Sequence, residues 1–161
     1  MEDFPSTNNE TRKHILSVCE NINKYVYDLL NRGVNHDASK LNYNQASVFD
    51  KCIGRLHNAE YNSEEYKQLL KELQPALVHH YRLNDHHPEH FDNGIQDMNM
   101  LQLLEMLADW KASCSRVKDG DIIKSIEINQ TRFNYSDDIK NLLINTVKYM
   151  NWDNKNENVR T

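Results

Sequence analysis

Apolar residues recur in this chain at spacings of three and four, segment after segment, and little interrupts them: Gly occurs 4 times and Pro 3 times in 161 residues. Spacings of three and four collect side chains on one face of an α-helix, whereas a half-buried strand needs strict alternation, which is rare here. The chain is therefore expected to be all-α, a single bundle of about six helices.

The first helix is expected over residues 8–31, with Thr7 and Glu10 as a capping box, Gly33 as the stop, and Ile15, Val18, Ile22, Val26 and Leu29 facing the core. A second is expected over 43–57, with Val48, Phe49, Cys52, Ile53 and Leu56 inward. A third covers 63–83 through Leu69, Leu73 and Ala76, where Pro75 either breaks the helix or opens a new turn. Residues 84–94 read as a loop. Asp97 would cap a fourth helix over 98–116. Nearly the whole circumference of that helix is apolar, as expected of a helix at the centre of a bundle. A fifth is expected over 121–132, and a sixth over 137–152 with Ser136 as cap and Ile139, Leu143, Val147 and Met150 inward. Residues 1–152 then form one domain and 153–161 a polar, frayed tail. No internal repeat is present.

The net charge of −5 argues against an extended nucleic-acid surface but leaves room for a small anionic ligand in a local basic pocket. Cys19, Cys52 and Cys114 show no C-x-x-C spacing and read as buried thiols of a reducing compartment. Residues 1–10 are polar and contain Pro5, so they are no secretory signal. No apolar run reaches the length of a membrane span. A cytoplasmic protein is expected, in the host cytoplasm if the chain is viral.

Several polar residues stand where the helical pattern does not ask for them. His36-Asp37-Ala38-Ser39-Lys40 sets an imidazole beside a carboxylate just past the first helix, a pairing that suits one divalent ion. His14 borders the apolar stripe of the first helix, either as a satisfied histidine or as a ligand. Five of the eight histidines fall between His79 and His90. His80 occupies a core-facing position of the third helix and His79 lies about 100° around from it. Glu105 and Asp109, four residues apart, share a face of the most apolar helix. A buried carboxylate there needs a hydrogen bond, a cation or a metal, unless Asp109 faces solvent. Lys40 is either solvated or faces an anion together with the start of the second helix.

The order His14, then His36-Asp37, then Asp109, on a helical scaffold of this size, resembles the HD-domain superfamily of metal-dependent phosphohydrolases. The resemblance spans the first to the fourth helix and implies that His14, His36, Asp37 and Asp109 bind a divalent metal. It extends to an HD-like group of bacteria and their viruses with an H-D-x-S-K turn, a W-x-H-H-K…N-x-H-H stretch and a helix ending E-M-x-x-D-W. Here these stand as residues 36–40, His79-His80-Tyr81-Arg82-Leu83-Asn84-Asp85-His86-His87, and Glu105-Met106-Leu107-Ala108-Asp109-Trp110. Leu77 replaces the Trp, and Tyr81-Arg82 stands where a Lys is usual. In other HD proteins, extra histidines between the pair and the last Asp hold a second metal or act on substrate. That makes His79, His80, His86 and His87 candidates for either task, with Arg82 as a further candidate for substrate contact.

The expected chemistry is hydrolysis of a small phosphorylated molecule, of the nucleotide class, by water activated on one or two ions of Mn, Fe, Co, Ni or Zn, with Mg as a further candidate. Lys40 and Arg82 would offset developing charge. His80 would act as an acid or position water. Glu105 would serve as a base or brace a metal-bound histidine. HD-like scaffolds also include di-iron oxygenases, and a domain that only binds a nucleotide, or a structural bundle with incidental histidines, would share much of this pattern. A homodimer is compatible with any of these readings.

Overall fold

The computed structural model describes residues 5–41, 43–58, 63–116 and 119–153. Six α-helices are present among them: α1 (Pro5–Asn35), α2 (Tyr43–Asn58), α3 (Glu64–Leu83), α4 (Met100–Ser115), α5 (Ile122–Phe133) and α6 (Asp137–Tyr149). Short 3-10 turns occupy Ala38–Leu41, Pro88–His90 and Gly94–Asp97, and there is no strand among the described residues. The expected all-α class is what the structure has. The frayed end expected over 153–161 falls almost wholly outside the described residues, as do the connection at 59–62 and the side chains of Ile53 and Leu56.

The chain divides into two compact units, one ending at His36 and the other beginning at Asp37. The first contains one helix. It begins at Pro5, which suits a first helical position because its missing N–H would have no partner there anyway. Thr7 consequently lies inside the helix and the expected capping box does not form. Gly33 does not stop the helix, which continues to Asn35. Ile15, Val18, Ile22 and Val26, expected to be buried, are exposed, and so is Cys19. A unit of one helix has no second layer within itself against which to bury a stripe.

In the second unit, α2 packs on α3, α4 on α5, and α5 on α6. The α2–α3 pair buries Cys52, Leu69, Leu73 and Ala76 as their periodicity predicts, while Val48 and Phe49, also expected inward, are half-buried. Pro75 neither breaks nor restarts α3, which runs unbroken for 20 residues. The larger core unites Met106 and Leu107 of α4, Ile122 and Ile126 of α5, and Leu143 and Val147 of α6, with Ile95 and Met98 from the segment before α4. Met150, expected inside, lies exposed beyond the end of α6.

Ser136 caps α6 and Asp121 caps α5 through side-chain acceptors, as their residue types favour. Asp97 does not cap α4. Its carboxylate accepts hydrogen bonds from the Asn93 backbone N–H (3.1 Å) and side chain, and Asn99 takes the capping position in a reciprocal box with Gln102. α4 also buries one face rather than its whole circumference: Leu103, Met106 and Leu107 are inside, while Leu104 and Ala108 are exposed.

Candidate metal centre

Asp37 stands where the second unit begins, with φ of 56°. That left-handed conformation is one a short polar side chain tolerates better than most. The turn leads directly into the 3-10 segment carrying Ser39 and Lys40, closed by the Lys40 N–H donating to the Asp37 carbonyl at 2.8 Å. The last turn of α3 supplies His80, and the loop after it supplies His86 and His87. The side chain of His80 is 1% exposed and that of His86 2%. Burial this complete of two imidazoles requires polar partners.

Those partners are one another and a carboxylate. His80 Nε2 lies 3.1 Å from Asp37 Oδ1 and 2.8 Å from His87 Nε2, and His86 Nε2 lies 3.5 Å from the same Asp37 oxygen. One donor atom from each of Asp37, His80, His86 and His87 falls within 4.8 Å of all the others. Ligands held about 2.1 Å from one ion stand about 3 Å apart at right angles and about 3.4 Å apart at the tetrahedral angle. The separations of 2.8, 3.1 and 3.5 Å are compatible with such a shell, and these four residues could hold a metal ion.

The groups around them complete the arrangement. Glu105 Oε1 is 3.0 Å from His86 Nδ1 on the side away from the cluster, a carboxylate–imidazole contact that leaves Nε2 to face inward. One turn earlier, Gln102 donates to Asp85 Oδ2 at 2.6 Å, so α4 grips the two consecutive residues Asp85 and His86. The loop is held further along by Arg132 on Glu89 (2.6 Å) and by Ile95, which is sunk in the core. Lys40 Nζ is 2.6 Å from Asp37 Oδ2 and lies over the Phe49 ring. In this structure the anion that Lys40 meets is Asp37.

These contacts set the charge states. Burial alone would raise the Asp37 carboxyl, but hydrogen bonds from His80, His86 and Lys40 hold it well below the usual carboxylate range. Burial would lower His86, yet Asp37 and Glu105 on either side carry it up to about 9. His87 is pushed down to about 3, first by burial and then by its imidazole neighbours. A neutral imidazole such as His87 keeps a lone pair to offer a metal.

The structure thus gathers Asp37, His80, His86, His87, Glu105 and Lys40. It separates His79 from His80: His79 and Arg82 lie on the exposed side of α3 with Lys71, Gln74 and Val78. His14 is exposed on α1 and His36 is half-buried at the end of the first unit. Asp109 is half-buried on α4, one turn beyond Glu105, and does not contribute to the four-donor cluster. Residues 4–149 match a family described as a family of unknown function, DUF5662. The chain belongs to that family. No curated protein and no solved structure matches this DUF5662 chain.

Sequence reasoning gave no role to Ser39, Asn84, Asp85 or Gln102. Gln102 carried a readable signal, since Asn99 followed three residues later by Gln is a capping-box pattern. Ser39 and Asn84 stood inside the motifs but had no pairing partner visible in the sequence.

Proposed function

We propose that this DUF5662 protein is a metal-dependent phosphohydrolase acting on a small phosphorylated molecule of the nucleotide class. The observation that supports it is the convergence of three imidazoles and one carboxylate, drawn from the Asp37 turn, α3 and the following loop, with Glu105 bracing one of them from α4. Imidazole with carboxylate suits Mn, Fe, Co, Ni or Zn better than Mg. Four donors fill a tetrahedral shell but leave open positions in a six-coordinate one, and substrate and water would need such positions. The resemblance to HD phosphohydrolases supplies the reaction class.

An ion held by Asp37, His80, His86 and His87 would supply a bound water of lowered pKa and a Lewis acid for a phosphoryl oxygen. The protein's own residues do the rest. Asp37 and the three histidines fix the ion's place, and Glu105 keeps His86 turned inward. Lys40, whose side chain is 37% exposed, is the cation within reach of an incoming phosphate. A second reading, oxygen chemistry at iron, is favoured by the imidazole-rich donor set.

Metal analysis by mass spectrometry of untagged wild type and Asp37→Ala comes first, followed by phosphate release from a panel of nucleoside mono-, di- and triphosphates. The expected result is one or two equivalents of a transition metal in wild type, loss in the variant, and metal-dependent phosphate release by wild type alone. Iron without phosphate release would favour the oxygenase reading. Metal-free wild type with no thermal shift on adding Mn²⁺ or Zn²⁺ would end the enzyme reading.

A further inference from the structure

We propose that Asn84 and Ser39 are a positioning pair for the metal centre, holding the His80 ring so that its Nε2 is offered to the ion. The inference rests on the metal-binding reading above and concerns residues to which that reading gives no part.

An imidazole that binds a metal through one nitrogen carries its proton on the other, so a partner for that second nitrogen decides how well the ring is oriented. Glu105 does this for His86. For His80, Nε2 is in the cluster, and Nδ1 faces two polar groups: Ser39 Oγ at 3.2 Å and the Asn84 side-chain amide at 2.9 Å. The same amide nitrogen donates to Ser39 Oγ at 2.8 Å and to the His80 carbonyl at 2.7 Å. Asn84 lies four residues past His80 and folds back over the end of α3. Ser39 comes from the turn that also carries Asp37. One set of contacts therefore fixes the His80 ring and ties the segment bearing Asp37 to the helix bearing His80.

Residue type matters here. With an ion on Nε2, Nδ1–H needs an acceptor. The Ser39 hydroxyl is that acceptor, and the Asn84 amide, donating to Ser39 Oγ and to the His80 carbonyl, holds the hydroxyl against the ring. A group that only capped α3 would need no contact with Nδ1, because the His80 carbonyl would be sufficient.

The test is the affinity of the purified protein for Zn²⁺ and for Mn²⁺, read by competition with a chelating indicator, beside the melting temperature of the metal-free protein. Asn84→Leu keeps the size of the side chain and removes its polar atoms. It is expected to weaken metal binding by about 10- to 100-fold. Asn84→Asp cannot donate to Ser39 Oγ or to the His80 carbonyl. It is expected to weaken metal binding as Asn84→Leu does. Ser39→Ala lies outside the α3 cap and should weaken binding several-fold with the metal-free melting temperature unchanged.

Equal affinity in wild type, Asn84→Leu and Ser39→Ala would overturn the inference while leaving the metal reading intact. So would losses in Asn84→Leu and Ser39→Ala that merely follow the metal-free melting temperature. If wild type itself takes up no ion, the metal reading fails and takes the inference with it.

Discussion

Ile126 and His80 are buried to nearly the same degree, at 0% and 1% exposure, yet they are held in different ways. Ile126 sits among Met106, Leu107, Leu143 and Val147, where contacts are between carbon atoms and carry no direction. His80 is placed by Asp37, His87, Ser39 and Asn84 through polar atoms at hydrogen-bond distance. The first kind of burial stabilises the fold wherever the volume is right. The second requires particular atoms in particular places, and its return is a binding geometry rather than stability.

Cutting into the apolar region is expected to have the largest energetic effect. Ile126→Ala should lower unfolding free energy by about 2–5 kcal/mol, through lost transfer energy and the remaining cavity. Urea denaturation of the metal-free protein measures this. The metal affinity of the still-folded variant should stay at the wild-type value. A parallel fall in affinity would mean that the two regions are one cooperative device.

Asp37→Ala should act the other way round. In wild type, an ion present at 100 times its dissociation constant stabilises by about 2.7 kcal/mol, because it binds only the folded chain. That increment should vanish in Asp37→Ala, measured as the difference between urea midpoints with and without Zn²⁺. An increment retained in full would place the ion elsewhere.

What could be read from the sequence follows the same division. Leu69, Leu73, Ala76, Leu143 and Val147 lie inside as their spacing requires, because helical period and non-directional burial are both properties of one segment. His80 occupies an apolar position of α3 for that reason too, but its position did not decide between it and His79 as the residue facing the site. Its partnership with His86, His87 and Asp37 was not legible, because it depends on how the chain returns after α3, and no period encodes that. Residue type found the members of the centre, and the resemblance to HD proteins named Asp37. Spacing could not show that Glu105 serves His86, or that Asn84 and Ser39 meet at Nδ1. The apolar stripe of α1 misled for a related reason: periodicity shows which face is apolar, not what covers it.

Two smaller perturbations sharpen the polar side of the comparison. Glu105→Gln keeps the shape and removes the charge facing His86 Nδ1. Metal affinity should fall by about 10- to 100-fold, or roughly 1.4–2.7 kcal/mol, and the metal-free protein should lose stability at neutral pH, because Glu105 helps hold the buried His86 charged. Asp109→Asn tests the ligand that the resemblance adds and the cluster lacks. The ion held by Asp37, His80, His86 and His87 should remain, so metal analysis should still find at least one equivalent. Complete loss would transfer the site from the four-donor cluster to a set that includes Asp109.

The smallest effect concerns the polar atom inside the apolar region. Tyr135 is buried in the core and its hydroxyl donates to the Ile126 carbonyl at 2.6 Å. Burial pushes that hydroxyl up to about 12, from an ordinary value of 10.0. Below pH 10 the group is neutral in both folded and unfolded chains, so stability does not depend on its ionisation. Between pH 10 and 12 the unfolded chain releases this proton and the folded chain keeps it, so stability must fall as pH rises. Tyr81, raised by burial and by Glu89, adds to the same slope. Tyr135→Phe should cost about 1 kcal/mol at neutral pH by leaving the Ile126 carbonyl without this donor. It should also flatten the alkaline fall measured by urea unfolding at pH 9, 10.5 and 11.5, leaving the share due to Tyr81. An unchanged slope would mean that the hydroxyl reaches water in the folded state, and that the core is wetter around Tyr135 than its burial implies.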